Sequence, residues 1–173
     1  NKKVGVKNIS MENLQKIFTG EITNWKQVGG NDVDVVILNR ASGSGTRGTF
    51  ERWVLNGKEP KAAQEQDSSG TVRQIVADTP GAISYVAFSY VTKDVATLSI
   101  DGVAPNDDNV KTNKWLIWSY EHMYTKGQPT ELTKKFLDYV LSDKVQKEIV
   151  AKLGYIAISD MQVKRDWQGN VIQ

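Results

Sequence analysis

Helical and extended hydrophobic patterns alternate along the chain, and this alternation favours an α/β organisation. The first helical pattern begins behind Ser10, a residue type that caps helices, and ends before Gly20, a residue type that stops them. The apolar residues of this segment share one helical face: Leu14, Ile17 and Phe18. We therefore expect a helix through Thr19, and we expect Trp25 in the following loop to fill the core.

Short runs of apolar and β-branched residues predict the strands. Residues 33–38 form a nearly continuous run, as expected of a strand buried on both faces. Residues 82–86 and 95–100 indicate two further extended segments, and residues 4–6 indicate a short extended entry. The aromatic stretch over residues 115–124 is also expected to be extended.

Four further helices are expected behind polar turns. One follows the Gly-rich segment 43–45 and ends at Leu55, and a second follows the polar turn 67–70. Thr130 and Ser142 are the expected N-caps of the other two. The residues expected to face the core in these helices are, in order, Phe50, Trp53 and Val54; Val72, Ile75 and Val76; Leu132, Phe136, Leu137, Val140 and Leu141; and Val145, Ile149 and Leu153.

Composition narrows the class of protein. Hydrophobic residues make up 39% and charged residues 24% of the 173 residues, and these values are typical of a soluble globular protein. A net charge of +2, with neither sign in long runs, gives no argument for binding nucleic acid or an anionic membrane. Any bound anion must therefore be held by local geometry.

The sequence lacks the residues that several functional classes of protein require. Without cysteine there are no disulfides, thiolate metal sites or cysteine nucleophiles. No cluster of metal ligands or catalytic motif occurs, and we interpret the single histidine, His122, as structural. We therefore expect no catalytic residue, metal or cofactor. No apolar run approaches the roughly 20 residues that span a bilayer, and the opening residues do not predict a signal peptide.

The loop between the predicted strand 33–38 and the next helix is the strongest candidate for chemistry. A helix start leaves backbone N–H groups without partners and carries roughly half a positive charge, so it attracts anions. Gly45 lets an oxyanion approach this backbone, and Ser44 and Thr46 add hydroxyl donors. Arg40 offers a planar guanidinium suited to tetrahedral oxyanions. Together these residues predict an anion site.

Single residues of this loop can also have purely structural roles. Ser44 alone is consistent with an ordinary N-cap, and Arg47 can pair with Glu51 four residues along the helix. We therefore keep Arg47, with Ser42, as a secondary candidate ligand. A second polar turn, residues 68–71, also opens a helix and can face the same cleft, although a capping role accounts for it better.

The segment 43–48 also matches G-x-G-x-x-G, the fingerprint of dinucleotide-binding folds. We interpret the match as accidental, because residues 39–42 separate it from the predicted strand. In addition, the nearest acidic candidate, Asp67, precedes a helix instead of ending a second strand. A nucleotide- or dinucleotide-dependent enzyme that uses this loop is therefore the rival from a different functional class.

Four motifs, in this order, resemble one known family. They are LQKIFTGEITNW at residues 14–25, RASGSGTRGTF at 40–50, PGAISYV at 80–86 and MYTKGQPTELTKKFLDYVL at 123–141. In these motifs the chain is similar to the phosphate-binding proteins of bacterial phosphate ABC transporters, which are type II periplasmic binding proteins. Ser84 is a slight departure, because it stands where the family motif usually has glycine.

The resemblance implies a fold of two α/β lobes that close over phosphate. Residues 1–104 then correspond to one phosphate-binding lobe, with a mixed sheet flanked by helices. Residues 105–173 correspond to a hinge crossing and a C-terminal helical segment that packs on the other lobe. The candidate for the crossing is the segment 105–113, which is polar and is expected to be irregular. Family members are longer than this chain, and the segment that supplies the core of their other lobe resembles nothing here.

The resemblance also implies a function. The arginine and the Ser-Gly-Thr ligands of the family fall on Arg40, Ser44, Gly45 and Thr46. The chain is then expected to bind inorganic phosphate without catalysis, as the substrate-binding component of a phosphate ABC importer or a lobe of it. The full-length protein is expected to be extracytoplasmic, either periplasmic or a cell-surface lipoprotein, and to meet the permease subunits of the transporter. Binding of another oxyanion such as sulfate is the rival on the same fold.

Overall fold

The computed structural model describes residues 1–172 and contains two parallel sheets with helices packed around them. The strands β1 to β5 are, in chain order, Asn8–Ile9, Val36–Arg40, Gln64–Gln66, Ala82–Ile83 and Ser99–Ile100. One sheet has the order β3-β2-β4, and the other pairs β1 with β5. The α/β prediction is confirmed, but the sheets are parallel instead of mixed. Among the described residues, antiparallel pairing is limited to isolated bridges.

Helix α1 (Met11–Thr19) begins and ends where the capping residues predict. The Ser10 side chain accepts a hydrogen bond from the N–H of Asn13, and Gly20 ends the helix in the left-handed conformation, with φ 86°. The predicted apolar face of the helix is buried, and so is Trp25. Both predictions are confirmed, and the buried face fixes α1 against the core.

The strand β2 begins later than the apolar run that predicts it. Val33 and Val35 pair with the preceding loop instead of the sheet: the Val33 carbonyl accepts from the Trp25 N–H at 2.9 Å, and the Val35 N–H donates to the Thr23 carbonyl at 2.8 Å. Val36 is the first residue of the strand and is exposed. Burial therefore begins only at residue 37 and continues to the end of the strand.

The predicted entry strand at residues 4–6 is wrong. Lys2–Val4 form a 3-10 turn that ends at Gly5, which has φ 79°, and pairing with β5 starts only at β1. The other extended segments are partly confirmed. Only the first two residues of 82–86 and the last two of 95–100 pair as strands.

The helices predicted behind the first three polar turns all form. Helix α2 (Gly45–Phe50) continues without a break as a π-helical turn, Glu51–Leu55, and so ends at the predicted residue. Helices α3 (Ser69–Asp78) and α5 (Glu131–Val140) also begin at their predicted turns. Local capping and periodicity were therefore sufficient to predict these helices.

Two expectations for the C-terminal half are wrong. The segment 105–113 is not irregular, because it contains α4 (Asp107–Lys111), whose first turn carries two acidic residues behind the N-cap Asn106. Ser142 does not cap a helix, because its hydroxyl donates to a backbone carbonyl of α5. The next helical segment is Lys144–Val150, with π-helical hydrogen bonding.

An aromatic cluster forms the core beneath α2. Phe50 of α2 stacks on Tyr85 with ring centroids 4.0 Å apart, and Phe18 of α1 packs on Phe50 at 4.5 Å. Aromatic pairs of this kind stabilise a core by about 0.5–1.5 kcal/mol beyond the area that they bury. The cluster holds α2 in place and so fixes the position of its N-terminus.

The C-terminal segment departs most from its predicted packing. Residues 115–124 contain no strand, although Trp115 and Trp118 are buried. Most of the apolar residues that the pattern directs to the core here are exposed: Leu132, Phe136, Leu141, Ile149 and Leu153. We call the exposed side of α5 formed by Leu132, Phe136 and Tyr139 the α5 face.

A buried arginine, which the sequence did not predict, fixes the C-terminal tail to the rest of the chain. The Arg165 guanidinium lies between two indoles, 4.2 Å from the ring centroid of Trp53 and 4.1 Å from that of Trp118. Its Nη1 also donates to the Leu116 carbonyl at 3.1 Å. Burial lowers the pKa of Arg165 to about 10. The tail therefore packs on the helix that follows the candidate anion loop.

Candidate functional site

Two strand-to-helix loops lie side by side at one edge of the three-stranded sheet. β2 ends at Arg40 and is followed by α2, while β3 ends at Gln66 and is followed by α3. The two strands are parallel and paired, and Arg40 lies opposite Gln66 in their register. Ligands of α/β folds bind outside the carboxyl ends of parallel strands. This edge, with two helix N-termini, is therefore the candidate site.

The N-terminus of α2 presents hydrogen-bond donors to solvent. The Ser44 side chain accepts from the Arg47 N–H at 3.3 Å, and the first intrahelical bond runs from the Gly48 N–H to the Ser44 carbonyl. The N–H groups of Gly45 and Thr46 precede that bond, so they have no partner within the helix. A Cβ added at Gly45 would meet nothing within 4 Å, so an oxyanion can approach this backbone.

The guanidinium of Arg40 is buried, with only 9% of the residue exposed, and it points to the loop between β3 and α3. Its Nε donates to the Gln66 carbonyl at 3.2 Å, its Nη1 to Ser69 Oγ at 2.6 Å and its Nη2 to the Asp67 carbonyl at 2.5 Å. Among residues 1–172, no carboxylate lies within ion-pairing distance of it. Arg40 is therefore a buried cation that meets only neutral acceptors.

Arg47, by contrast, is neutralised within the protein. Its Nε lies 2.7 Å from a Glu51 oxygen, and its Nη1 lies 2.6 Å from a Glu65 oxygen and donates to the Arg40 carbonyl at 2.8 Å. The hydrogen bonds that Arg47 donates to Glu51 and then to Glu65 raise the pKa of Arg47 above its ordinary value. The expected pairing with Glu51 is confirmed, and these contacts favour a structural role over a ligand role.

The structure brings together some, but not all, of the predicted site residues. Ser44, Gly45 and Thr46 are consecutive at the helix start, and Ser42 lies exposed in the loop before them. The hydrogen bonds of the Arg40 side chain go to the neighbouring loop instead of to residues 44–46. The arginine is thus linked to the loop through the sheet edge that both share.

The second polar turn contains a contact that the sequence did not reveal. Ser68 caps α3 by accepting from the Thr71 N–H, as a capping role predicts. The next residue, Ser69, is buried and bonds Arg40. One signal for this contact was available, because a helix has only one N-cap residue and two adjacent serines therefore leave one hydroxyl without a capping role.

The dinucleotide interpretation needs correction in two details. Asp67 does follow a second strand, because the polar segment Gln64–Gln66 forms β3 beside β2. β2 also extends to Arg40, so fewer residues than expected separate it from the glycines. However, the third glycine of that fingerprint packs a helix closely against a strand. A Cβ at Gly48 would meet nothing within 4 Å, so the fingerprint's packing role is absent here.

His122 contributes no chemistry that the structure can identify. It is exposed, and its ring lies 6.1 Å from that of Tyr120 and 5.8 Å from that of Tyr124. Within residues 1–172 we find no cluster of His, Cys, Asp or Glu that could hold a metal ion. The helices of this same range include none with the length and apolar character needed to cross a membrane.

A cavity of about 740 Å³ lies away from the anion loop. Its lining is mainly apolar and includes residues of both β4 and β5, together with Phe18, Trp25 and Phe50. No residue of the segment 40–46 lines it. Because its lining is mainly apolar, we favour the helix starts over this cavity as the site for a charged ligand.

Comparison with known proteins places the chain in a family. A family model of the PBP superfamily domain matches residues 1–144. The chain is 54% identical over 170 residues to phosphate-binding protein PstS of Bacillus subtilis, a match that covers 98% of the chain and 57% of that protein. It is 32% identical over 169 residues to phosphate-binding protein PstS of Borreliella burgdorferi, covering 90% of the chain and 60% of that protein. The chain thus spans less than two thirds of these curated relatives.

Solved structures of similar proteins have the same fold as this chain. A phosphate ABC transporter substrate-binding protein of Clostridium perfringens, solved with bound phosphate, superposes with a TM-score of 0.80 at 34% identity, over 91% of this chain and 66% of that one. An ABC-type phosphate transport receptor of Vibrio cholerae gives a TM-score of 0.73 at 27% identity, over 90% and 66%. These matches confirm the resemblance found in the sequence, and the chain belongs to the PBP superfamily.

Proposed function

We propose that this chain binds inorganic phosphate at the loop before α2, as the substrate-binding component of a phosphate ABC importer or a lobe of it. The observation that carries the proposal is the buried charge of Arg40, which meets only neutral acceptors beside a helix start with free N–H groups. A buried cation without a counter-ion is unfavourable until an anion binds. The relatives are named as phosphate-binding proteins, which supports phosphate as that anion.

In this proposal the anion is held by donors alone. Gly45 and Thr46 donate backbone N–H groups, and Ser44 and Thr46 donate hydroxyl protons. The Ser44 oxygen accepts from the Arg47 N–H, and among the described residues its hydroxyl proton is donated to no other group. A guanidinium has five N–H donors. Arg40 uses three of them within the protein, so two remain for phosphate.

The activity of the whole protein follows from the same proposal. It binds phosphate without chemical change and delivers it to the permease subunits of an ABC transporter. Its place is extracytoplasmic, and a lipid anchor on the full-length protein is part of the proposal. The names of the two similar solved structures support the transporter assignment. Closure of a second lobe over the anion would exclude water and strengthen each hydrogen bond at the helix start.

The division of the chain is also proposed. Residues 1–104 form the phosphate-binding lobe, and residues 105–173 form a crossing and a helical segment that packs on the other lobe of the full-length protein. The α5 face supports this division, because a helix with an apolar stripe normally buries it. The relatives also have the additional length that a second lobe needs.

Titration followed by amide NMR tests the site. Phosphate added to the 173-residue chain at constant ionic strength should shift the N–H signals of Gly45 and Thr46 before those of other residues, and chloride should not. Shifts confined to another surface, with residues 44–46 unchanged at saturation, would remove the assignment.

The same titration separates the rivals. Sulfate that binds at residues 44–46 much more tightly than phosphate would favour the rival oxyanion binder. NAD or ATP that binds at the loop with higher affinity than phosphate would favour the rival enzyme. We expect neither result. The proposed donors serve phosphate and sulfate equally, so sulfate should not bind much more tightly, and Gly48 lacks the packing role of a dinucleotide-binding glycine.

A further inference from the structure

The side chain of Arg40 is held by three acceptors from one short segment. Two of them are the carbonyls of Gln66 and Asp67, which any sequence would provide at these positions. The third is Ser69 Oγ, at 2.6 Å from Nη1, and it is the only one of the three that belongs to a side chain. Of the three contacts of the Arg40 guanidinium, only the one with Ser69 therefore depends on which amino acid occupies the position.

Within residues 1–172, the only hydrogen bond of the Ser69 hydroxyl is the one with Arg40. Ser68 is the N-cap of α3, and its oxygen accepts from the Thr71 N–H at 3.3 Å. Ser69 is the first residue of the helix and is 8% exposed. A buried hydroxyl needs a hydrogen-bond partner, and the partner of this one is the Arg40 guanidinium.

The chemical type of this partner matters for an anion site. A carboxylate at position 69 would fix the guanidinium equally well but would neutralise its charge, as Glu51 and Glu65 do for Arg47. The neutral Ser69 hydroxyl accepts the Arg40 hydrogen bond and leaves the positive charge uncompensated. We infer that Ser69 is a positioning residue that orients Arg40 for phosphate while keeping its charge available. This inference rests on the proposed function.

Two measurements on the 173-residue chain test the inference. Phosphate affinity is measured by NMR titration of Ser69→Ala, with Thr71→Ala as the matched control, since Thr71 is an exposed hydroxyl residue of the same helical turn. The Nε–H and Nη–H signals of Arg40 are recorded in the same samples, because they sharpen when a guanidinium is fixed. Ser69→Thr retains a hydroxyl and serves as the rescue variant.

We expect Ser69→Ala to weaken phosphate binding roughly three- to tenfold and to broaden the Arg40 signals. Thr71→Ala should change neither, and Ser69→Thr should restore both. Unchanged affinity in Ser69→Ala overturns the inference. Weaker binding with unchanged Arg40 signals also overturns it, because Ser69 would then act through the helix. If the unsubstituted chain does not bind phosphate at residues 44–46, the proposed function itself fails. If it does bind and Ser69→Ala binds equally, only the inference fails.

Discussion

Arg40 and Arg47 both border the loop that precedes α2, but their side chains meet different partners. Arg47 contacts two carboxylates, whereas Arg40 contacts two carbonyls and a hydroxyl. The charge of Arg47 is therefore used within the protein, and the charge of Arg40 is available to a ligand. This difference decides which of the two should matter for anion affinity.

Arg40→Ala should weaken phosphate binding by ~1.5–3 kcal/mol, because a charge-assisted hydrogen bond to a desolvated anion has about that value. Arg47→Ala should mainly lower the free energy of unfolding, by about 1 kcal/mol, because it leaves Glu51 and Glu65 without a partner. Phosphate titration and urea denaturation of both variants measure the two quantities.

A charge-matched variant controls this comparison. Arg47→Ala alone adds net negative charge near the loop, which weakens anion binding at long range. The double variant Arg47→Ala with Glu65→Gln keeps the net charge of the unsubstituted group. If this double variant loses as much phosphate affinity as Arg40→Ala, then Arg47 is a direct ligand and our ranking is wrong.

The candidate residues could be predicted from the sequence, but their contacts could not. Arg40 and the Ser44–Thr46 segment were visible because a helix start and an arginine have known affinity for anions. The acceptors of Arg40 lie 26 to 29 residues away along the chain and become neighbours only through the pairing of β2 with β3. β3 itself gave no signal, because its residues are polar and largely exposed.

At the scale of elements, α2 allows one backbone donor to be removed without disturbing the helix. Gly45 is the first helical residue behind the N-cap Ser44, and proline is well tolerated at that position. The backbone of Ser44, with φ −67° and ψ 123°, also suits a residue that precedes proline. A Cβ at Gly45 meets nothing within 4 Å.

Gly45→Pro should therefore weaken phosphate binding by ~1.5–3 kcal/mol, the value of one hydrogen bond to a charged group, and leave the helix intact. Gly45→Ala is the control, because it adds the same Cβ and keeps the N–H. Circular dichroism and phosphate titration of both variants make the comparison. Equal affinities for the proline and alanine variants would show that this N–H does not contact the anion.

Elements that depend on local signals were predicted best. α1, α2, α3 and α5 each carry a capping residue and an apolar stripe within a few turns. Strand ends were predicted poorly, because they depend on which backbone lies alongside; residues 33–35 pair with a loop, for example. The prediction that α5 is buried is wrong for the same reason. Its apolar stripe indicates that the helix packs on a partner surface, but this chain provides no such surface among the described residues.

The exposure of the α5 face leads to a contrast between two phenylalanines. Phe136 is 60% exposed and Phe50 is 3% exposed. In the 173-residue chain, Phe136→Ala should change the free energy of unfolding by less than about 0.5 kcal/mol. Phe50→Ala should lower it by about 3–5 kcal/mol. Urea denaturation of both variants measures the difference.

The difference in unfolding free energy between the two variants should be smaller in a protein of full family length. There Phe136→Ala is expected to lower the free energy of unfolding by more than about 1 kcal/mol, because the α5 face would be buried. A large loss already in the 173-residue chain would mean that α5 packs on residues 1–104. The proposed division of the chain would then be wrong.

At the scale of the whole molecule, the exposed apolar residues concentrate in one part of the chain, after residue 115. The anion loop lies elsewhere, before α2, where the N–H groups of Gly45 and Thr46 have no partner within the helix. The chain also spans only 57% and 60% of the curated relatives. These facts are consistent with a lobe whose anion site is completed by another lobe, and they set limits on how well this chain alone should bind.

Selection of phosphate over sulfate requires an acceptor for the proton that phosphate retains near neutral pH, since donors serve both anions equally. The donors proposed here are Arg40, two backbone N–H groups and two hydroxyls. The carboxylates of Glu51 and Glu65 border the loop, but both are bound to Arg47. A site that pairs every polar group of its substrate can reject an analogue by 10⁴ or so. Among the described residues, no hydrogen bond or ion pair holds a carboxylate against Ser44, Gly45 or Thr46 to provide that rejection.

We therefore expect the 173-residue chain to bind phosphate weakly, with a Kd on the order of millimolar, which corresponds to about −4 kcal/mol. The Kd values for phosphate and sulfate should differ by less than roughly tenfold, a difference under ~1.4 kcal/mol, because the same donors bind both anions. Isothermal titration with each anion at constant pH and ionic strength measures both values, and Arg40→Ala is the control for binding at the proposed site. Micromolar phosphate affinity with sulfate excluded would show that these residues already contain a proton acceptor and a closed site. In that case Asp67, which follows β3 beside Arg40, would be the first carboxylate to replace by its amide.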